Sequence, residues 1–289
     1  RLESHKLIEE LMIAANVAAA ETLEKLKQPC MYRIHDVPDP VKIGELARFL
    51  DGLGVHGLTL AKGQVIRPQH FNAILSRAQG TPYARLVHQL VLRTQSQAEY
   101  NPENIGHFGL SLHRYAHFTS PIRRYADLLV HRGLIAGHRF GPDGLPGHPG
   151  DFKELGQHIS MTERRAAAAE RSAGDRYVAA FLAERVGAEF KGRINGVTRA
   201  GLFVTLDETG ADGFIPMRSL GDDFYIHDES RHCLRGRRTG RVYTLGDSVT
   251  ARLSEADTVT GSLQFTLVGD GPGSGRSPKY PRHQGRRRR

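Results

Sequence analysis

Near residue 186 the hydrophobic pattern of this chain changes period, and that change constrains the possible folds more than any other feature. Before it, apolar residues recur at helical spacing: in "HKLIEELMIAANVAAAETLEKLK", residues 5–27, Leu7, Leu11, Ala14 and Ala18 fall on one stripe. After it come short alternating runs, "AEFKGRING", "GLFVTL", "ADGFIPM", "RVYTL", "DSVTARLSEA" and "SLQFTLV", separated by Gly, Asp and Thr. Such spacing describes five or six strands in roughly 80 residues, which suits a small closed barrel better than an open sheet. The chain therefore reads as α+β: a mainly helical part over residues 1–185, a barrel over 186–268 and a tail over 269–289.

Within the helical part, residues 5–27 carry apolar side chains around most of the circumference, so this first helix is expected to be largely buried. His5, Glu9 and Asn16 fall close together on a helical wheel and form a narrow polar stripe, and a carboxylate there needs a partner or a task. "CMYRIHDVPDP" reads as a short extended segment, and "VKIGELARFLDGLG" as a helix closed by glycine. "RPQHFNAILSRAQG" and "TPYARLVHQLVLRTQSQAEY" read as two further helices with proline near their starts. "NPENIGHFGLSLHRYAHFT" is irregular and rich in His and aromatics, a composition typical of loops that line sites. A long helix is expected from about Phe152 to Glu184.

The formal charge is +9, but residues 270–289 hold Arg276, Lys279, Arg282 and Arg286 to Arg289 against Asp270 alone, a local charge of +6. A disordered basic tail of this kind adds salt-sensitive affinity for phosphates through counterion release. The richest apolar run, "LMIAANVAAA", stops well short of the ~20 residues that a membrane helix needs, so no membrane partner is expected. Cys30 and Cys233 lie far apart with no CxxC or Cys/His cluster around either, which suggests neither a disulfide framework nor a zinc site and fits a reducing cytoplasm. The chain opens on Arg1 with no apolar secretory segment, so a fragment cut within a larger domain is expected.

One stretch asks for an anion. In "HFTSPIRRYAD", residues 117–127, Ser120 reads as a helix N-cap and Pro121 as the first helical residue, which puts Arg123 and Arg124 in the first turn. Cations there oppose the helix macrodipole unless something negative lies beside them. Arg123, Asp127 and His131 follow at i+4 spacing and would share one face. Orphan amides, hydroxyls and guanidiniums converging at one helix end suit a phosphate, and the backbone of a nucleic acid in particular. An Arg/Asp pair with a packed histidine is the plain structural alternative.

These residues also carry a resemblance. "HKLIEELMIAANVAAA", "RIHD", "NPENIGHFGLSLHRYAHFTSPIRRYADLLVHR" and "AERSAGDRY" resemble the C-terminal half of the catalytic domain of the RNase II (RNB) superfamily, in its bacterial ribonuclease R branch. The following barrel resembles the OB-fold RNA-binding domain of ribosomal S-one type, and the likeness covers about residues 1–268. The resemblance implies a processive 3′-to-5′ exoribonuclease that hydrolyses single-stranded RNA to nucleoside 5′-monophosphates, monomeric and using Mg²⁺ or Mn²⁺. It implies that Arg123 contacts the scissile phosphate, with Arg124 as the alternative cation. Glu9, with Glu10 as its alternative, and Glu170 match family glutamates near the terminal nucleotides. The family's metal-binding aspartates lie N-terminal to the "HKLIEE" helix, so the metal ligands are expected outside this chain, which alone would be inactive. Asp222 and Asp223 have no Arg or His partner at motif spacing and read as solvated loop charges.

Further RNA contacts are expected from His107 and Tyr115 in the irregular loop, where either stacking on a base or packing would account for them. In the barrel the family pattern has an aromatic where this chain has Ala200, which removes one stacking platform. Phe190, Phe203, Phe214 and Tyr225 remain as ring candidates, with Phe203 equally readable as core, and Lys191, Arg193 and Arg199 as phosphate contacts. Base-sequence specificity is not expected from stacking and backbone charge. The rival reading is a non-catalytic RNA-binding protein with an RNase-like remnant, and a weaker third is an adaptor role for the helical part.

Overall fold

The computed structural model describes residues 2–52, 66–81, 83–145, 151–228 and 233–269. The expected basic tail falls outside the described residues apart from its first position. In chain order the elements are α1 (Glu3–Lys25), β1 (Tyr32–Ile34), α2 (Pro40–Gly52), α3 (Pro68–Ala78), α4 (Ala84–Thr94), β2 (Glu99–Asn101), α5 (Tyr125–His138) and α6 (Phe152–Ala183). Strands β3 (Glu189–Thr198), β4 (Gly201–Leu206), β5 (Asp212–Pro216), β6 (Tyr225–Asp228), β7 (Cys233–Gly236), β8 (Val242–Thr244), β9 (Ser248–Ala256) and β10 (Leu263–Leu267) follow.

The chain divides into two compact units, one of residues 1–40, 63–72 and 93–167, the other of 41–62, 73–92 and 168–289. Helices α2 and most of α4 thus pack with the barrel. The change of period at residue 186 marks a change of secondary structure inside a packing unit: Leu86 of α4 and Leu182 of α6 belong to the barrel's own core.

In the first unit, Ala19, Ala20 and Leu23 of α1 meet Val130 of α5, and Cys30, Tyr32, Ile34 and Ala116 complete the cluster. Met31, Tyr100, Ala126, Leu129 and Phe152 form a second cluster. The expectation of a largely buried α1 holds only for its second half. Leu7, Ile8 and Leu11 are 61%, 55% and 57% exposed, because burial begins at Asn16, where the helix meets α5 and the loop before it. The polar stripe divides in the same way, with His5 and Glu9 exposed and Asn16 buried. Helix α5 begins at Tyr125, not at Pro121, and residues 121–124 form a turn in which the Arg123 and Arg124 amides both donate to the Ser120 carbonyl, at 3.3 and 3.2 Å. Ser120 is therefore no N-cap, and Arg123 precedes the helix instead of occupying its first turn.

In the second unit five strands close in the order β10-β5-β4-β3-β9. Closure is made by β10, antiparallel to β9 and parallel to β5 at Gln264↔Phe214. Bulges at Ile194/Gly196 and Gln264/Phe265 give the extra bend that a small barrel needs. Strands β6, β7 and β8 form a separate antiparallel sheet, so "RVYTL" is not a barrel strand, and β6 and β7 were not expected.

Close packing at the barrel seam leads to a prediction. A Cβ on Gly213 would strike the Phe265 ring and reach the Leu263 carbonyl at 2.9 Å, whereas Gly174 in α6 has open space around it. Gly213→Ala should lower stability by about 1–3 kcal/mol through overpacking. Gly174→Ala should raise it by about 0.5–1 kcal/mol through helix propensity. Urea unfolding followed by circular dichroism measures both.

Candidate nucleic-acid interface

Strand β1 provides the edge on which the His-rich loop is built. The Arg33 amide donates to the Tyr115 carbonyl (2.9 Å), the His35 amide to Gly106 (3.1 Å) and the Phe108 amide to His35 (2.8 Å). The His35 ring fixes the turn at residues 108–110: its Nδ1 accepts the Gly109 amide at 2.8 Å, so the proton resides on Nε2, which donates to the Ser96 carbonyl at 2.7 Å. Only glycine fits at 109, since a Cβ there would lie 2.8 Å from His35 Nδ1.

From His35 a file of rings runs through the loop. His35 lies 5.0 Å from His107, His107 5.3 Å from Tyr115, Tyr115 5.6 Å from His117, and His117 5.6 Å from Tyr100, centroid to centroid. The Arg33 guanidinium closes the file 4.6 Å above Tyr100 and is held by both oxygens of Glu163, at 2.6 and 3.0 Å. Burial and the neighbouring Arg124 and Arg33 push the His117 imidazole down to about 3. Burial, His35 and Arg33 push His107 down to about 4. The Tyr100 phenol is pushed up to about 12, chiefly by burial, so it keeps its proton and donates to His117 Nδ1 at 2.8 Å. The file is largely buried, with His107 and His117 held uncharged beside arginines.

Two buried polar side chains tie this loop to the helices. Asn16 of α1 donates to the Tyr115 hydroxyl (3.1 Å) and accepts the Phe118 amide (2.9 Å). Asp127 of α5 is fully buried, and its Oδ1 accepts the Ser120 amide and the Arg124 guanidinium, each at 2.7 Å. A carboxylate in the first turn also complements the helix dipole. His131 donates to the Phe118 carbonyl at 2.9 Å and stacks on its ring at 4.3 Å. The expected Arg123–Asp127–His131 face therefore does not form, because residue 123 is not helical. Thr119 Oγ1, Arg124 Nε and Asp127 Oδ2 are buried without a hydrogen-bond partner, so polar capacity in this turn is left over from the fold.

The expected site residues separate accordingly. Arg124 is held by Asp127, whereas Arg123 is exposed and its guanidinium has no partner among the described residues. Glu9 and Glu10 are exposed on the first half of α1, and Glu170 is exposed on α6 in the second unit. Tyr115 is only 8% exposed and His107 half-buried, which limits both to ring edges. Arg33, Tyr100 and His117 were not expected as parts of this arrangement, whereas Asn16 was expected on the polar stripe of α1 and Asp127 and His131 beside Arg123. The plain alternative of an Arg/Asp pair with a packed histidine is what forms, with Arg124 as the arginine.

In the second unit, Phe190 on the barrel and Tyr225 on β6 are not stacking platforms. Phe190 is 3% exposed inside the core with Arg185 over its ring, and Tyr225 is 4% exposed with its hydroxyl donating to the Leu220 carbonyl at 2.9 Å. Strand alternation explains the first: Lys191 and Arg193 point outward, so Phe190 must point in. Phe203 and Phe214 pair across β4 and β5, with centroids 5.0 Å apart and Phe203 43% exposed. Asn195, Thr205 and Asp212 form a polar knot on the same outer face, with Asn195 donating to Thr205 at 2.6 Å and to Asp212 at 2.9 Å. Arg193 lies 3.9 Å from Asp207, and Arg199 is exposed. Asp223, expected as a solvated charge, instead accepts four hydrogen bonds, from the Phe224, Arg238 and Thr239 amides and the Thr239 hydroxyl.

Residues 1–138 match the model of the RNB domain family and residues 184–267 that of the S1 RNA binding domain. Ribonuclease R of Aquifex aeolicus is 40% identical over 92% of this chain and 37% of its own length. Ribonuclease R of Escherichia coli is 40% identical over 99% of this chain and 35% of its own. The chain thus spans little more than a third of these relatives. The apo form of Mycoplasma genitalium RNase R superposes with a TM-score of 0.85 at 31% identity, covering 93% of this chain and 42% of that one. The same enzyme in complex with ribose methylated single-stranded RNA gives the same score.

Removing the carboxylate in Asp127→Ala leaves the half-buried Arg124 guanidinium and the Ser120 amide without their acceptor and should cost about 3 kcal/mol in urea unfolding. The histidines set a pH dependence. Their folded values, about 3 and about 4, lie below the ordinary 6.5, so between these limits the unfolded chain binds more protons. Stability should therefore fall as pH drops below 6.5. His117→Gln should remove about 1–2 kcal/mol of the loss between pH 7 and pH 5, read from urea midpoints at both.

Proposed function

The chain belongs to the ribonuclease R family, carrying RNB and S1 RNA binding domain sequence, and from that premise we propose that it serves processive 3′-to-5′ hydrolysis of single-stranded RNA to nucleoside 5′-monophosphates. The setting is RNA turnover in the cytoplasm. The observation that carries the proposal is the Phe203–Phe214 ring pair, with Phe203 exposed and Phe214 half-buried, on a barrel whose outward positions include Lys191 and Arg193. Rings offer stacking to any base and the cations follow the phosphates, so RNA is held without regard to its sequence. RNA bound to the Mycoplasma genitalium enzyme supports this reading.

In the proposed reaction Arg123, exposed and with no guanidinium partner among the described residues, meets the scissile phosphate and stabilises the negative charge that develops there. Arg124 positions the turn through Asp127. Glu9 and Glu170 are assigned to the terminal nucleotides. Mg²⁺ or Mn²⁺ belongs to the proposal, but among the described residues no group of three or more His, Cys, Asp or Glu is placed to hold an ion. The described residues by themselves do not fit a metal. Among the described residues no helix is long and apolar enough to cross a membrane.

The test pairs filter binding with a denaturing gel of 5′-labelled single-stranded RNA in Mg²⁺. This chain alone should bind without shortening the RNA, and metal-dependent trimming from the 3′ end would overturn the placement of the metal ligands outside it. Phe203→Ala should weaken binding by about 1–3 kcal/mol. In a full-length enzyme, Arg123→Ala should lower the rate constant of cleavage by about 10²–10³ with a smaller change in affinity. A full-length protein that binds but never shortens RNA would favour the non-catalytic reading.

A further inference from the structure

The sheet formed by β6, β7 and β8 is separate from the barrel's sheet, and an exposed ring lies beside its cations. "LRGRRTGR", residues 234–241, brings Arg235, Arg237, Arg238 and Arg241 into one hairpin, and the first three are exposed. Beside it Phe224 is 69% exposed. Gly221, Asp222, Asp223, Phe224, Arg237 and Arg238 line a shallow cleft of about 710 Å³.

The cleft is built before any ligand arrives. Asp223 accepts the Phe224 amide at 2.7 Å, the Arg238 amide at 2.9 Å, and the Thr239 amide and hydroxyl at 2.8 and 2.5 Å. The Thr239 hydroxyl and these amides hold its carboxyl well below the usual carboxylate range. The Arg237 amide donates to the Phe224 carbonyl at 2.9 Å, and Arg238 Nη2 to the Asp222 carbonyl at 2.6 Å. The loop bearing the ring and the hairpin bearing the cations are thus one locked piece, which lowers the ordering cost of binding. The Asp223 charge is taken up by these donors, while the Arg237 guanidinium has no partner among the described residues.

We infer that this cleft is a second RNA subsite, in which one base stacks on Phe224 and the adjoining phosphate is met by Arg237, with Arg238 holding the wall. The inference rests on the barrel being RNA-binding and extends it. A lone ring face beside guanidiniums matches a base and its phosphate, whereas a peptide helix would need a continuous apolar groove. A strand long enough to reach both places would gain from their linkage through effective concentration.

The test is fluorescence anisotropy of the whole chain with oligouridylates of about 4 and about 16 nucleotides, spanning the range of site sizes for one barrel of this type. Phe224→Ala should weaken binding of the longer probe about tenfold, one stacked base's worth, and leave the shorter one, held at Phe203 and Phe214, unchanged. Phe224→Tyr should restore it. Arg237→Ala should flatten the logarithmic salt dependence by about 0.7. Unchanged long-probe affinity in both alanine variants overturns the inference while the barrel reading stands. Loss with Arg237→Ala but none with Phe224→Ala also overturns it, leaving a patch for anions of any kind. If the unaltered chain binds neither probe, both readings fall.

Discussion

A carboxylate with no exposed surface, that of Asp127, governs the shape of the segment on which the first unit's chemistry depends. By accepting the Ser120 amide and the Arg124 guanidinium it stops the chain from continuing α5 backward through the prolyl turn. Arg124 is thereby committed to the fold, and Arg123, one residue earlier, is left outside it. A buried charge is tolerated only when paired and hydrogen-bonded, so position and partner are set together. Asn16 does the same from α1, reaching both Tyr115 and the Phe118 amide across the loop.

The two units arrange their aromatic rings beside cations by different physical routes. In the first, a file of neutral His and Tyr rings is packed edge to face and locked by backbone amides, so that low-pKa imidazoles serve as shaped, uncharged walls beside Arg33 and Arg123. In the second, rings stand outside a closed barrel whose core is fully occupied by other side chains, and the cations are spread along strand edges. One surface is built by burial and hydrogen bonding, the other by the parity of strand residues.

Much of the fold was legible from periodicity. Helices α1 and α6 and strands β3, β4, β5, β9 and β10 lie where hydrophobic spacing put them, because each segment's pattern agrees with its own geometry. The start of α5 was misplaced because Ser-Pro is a good helix opening locally, and the competing demand came from a carboxylate seven residues from Ser120. Strands β6 and β7 escaped because each is only four residues long and carries polar residues among the apolar ones. Phe190 was assigned to the surface although its outward neighbours Lys191 and Arg193 required it to face inward, so alternation already held that answer.

By itself the sequence determined the α+β order, the existence of a small closed barrel and the RNase-like signature. These follow from local periods and from residues adjacent in the chain. Tertiary structure alone decided which of two adjacent arginines is spent on the fold, which rings are buried and which exposed, and that helices α2 and α4 pack with the barrel. Asp127 lies only three residues from Arg124, but the burial that makes their pairing obligatory, like the Asn16–Phe118 and Arg33–Glu163 contacts, comes from residues distant in the chain, and burial is a property of what surrounds a residue in space, which no local pattern encodes.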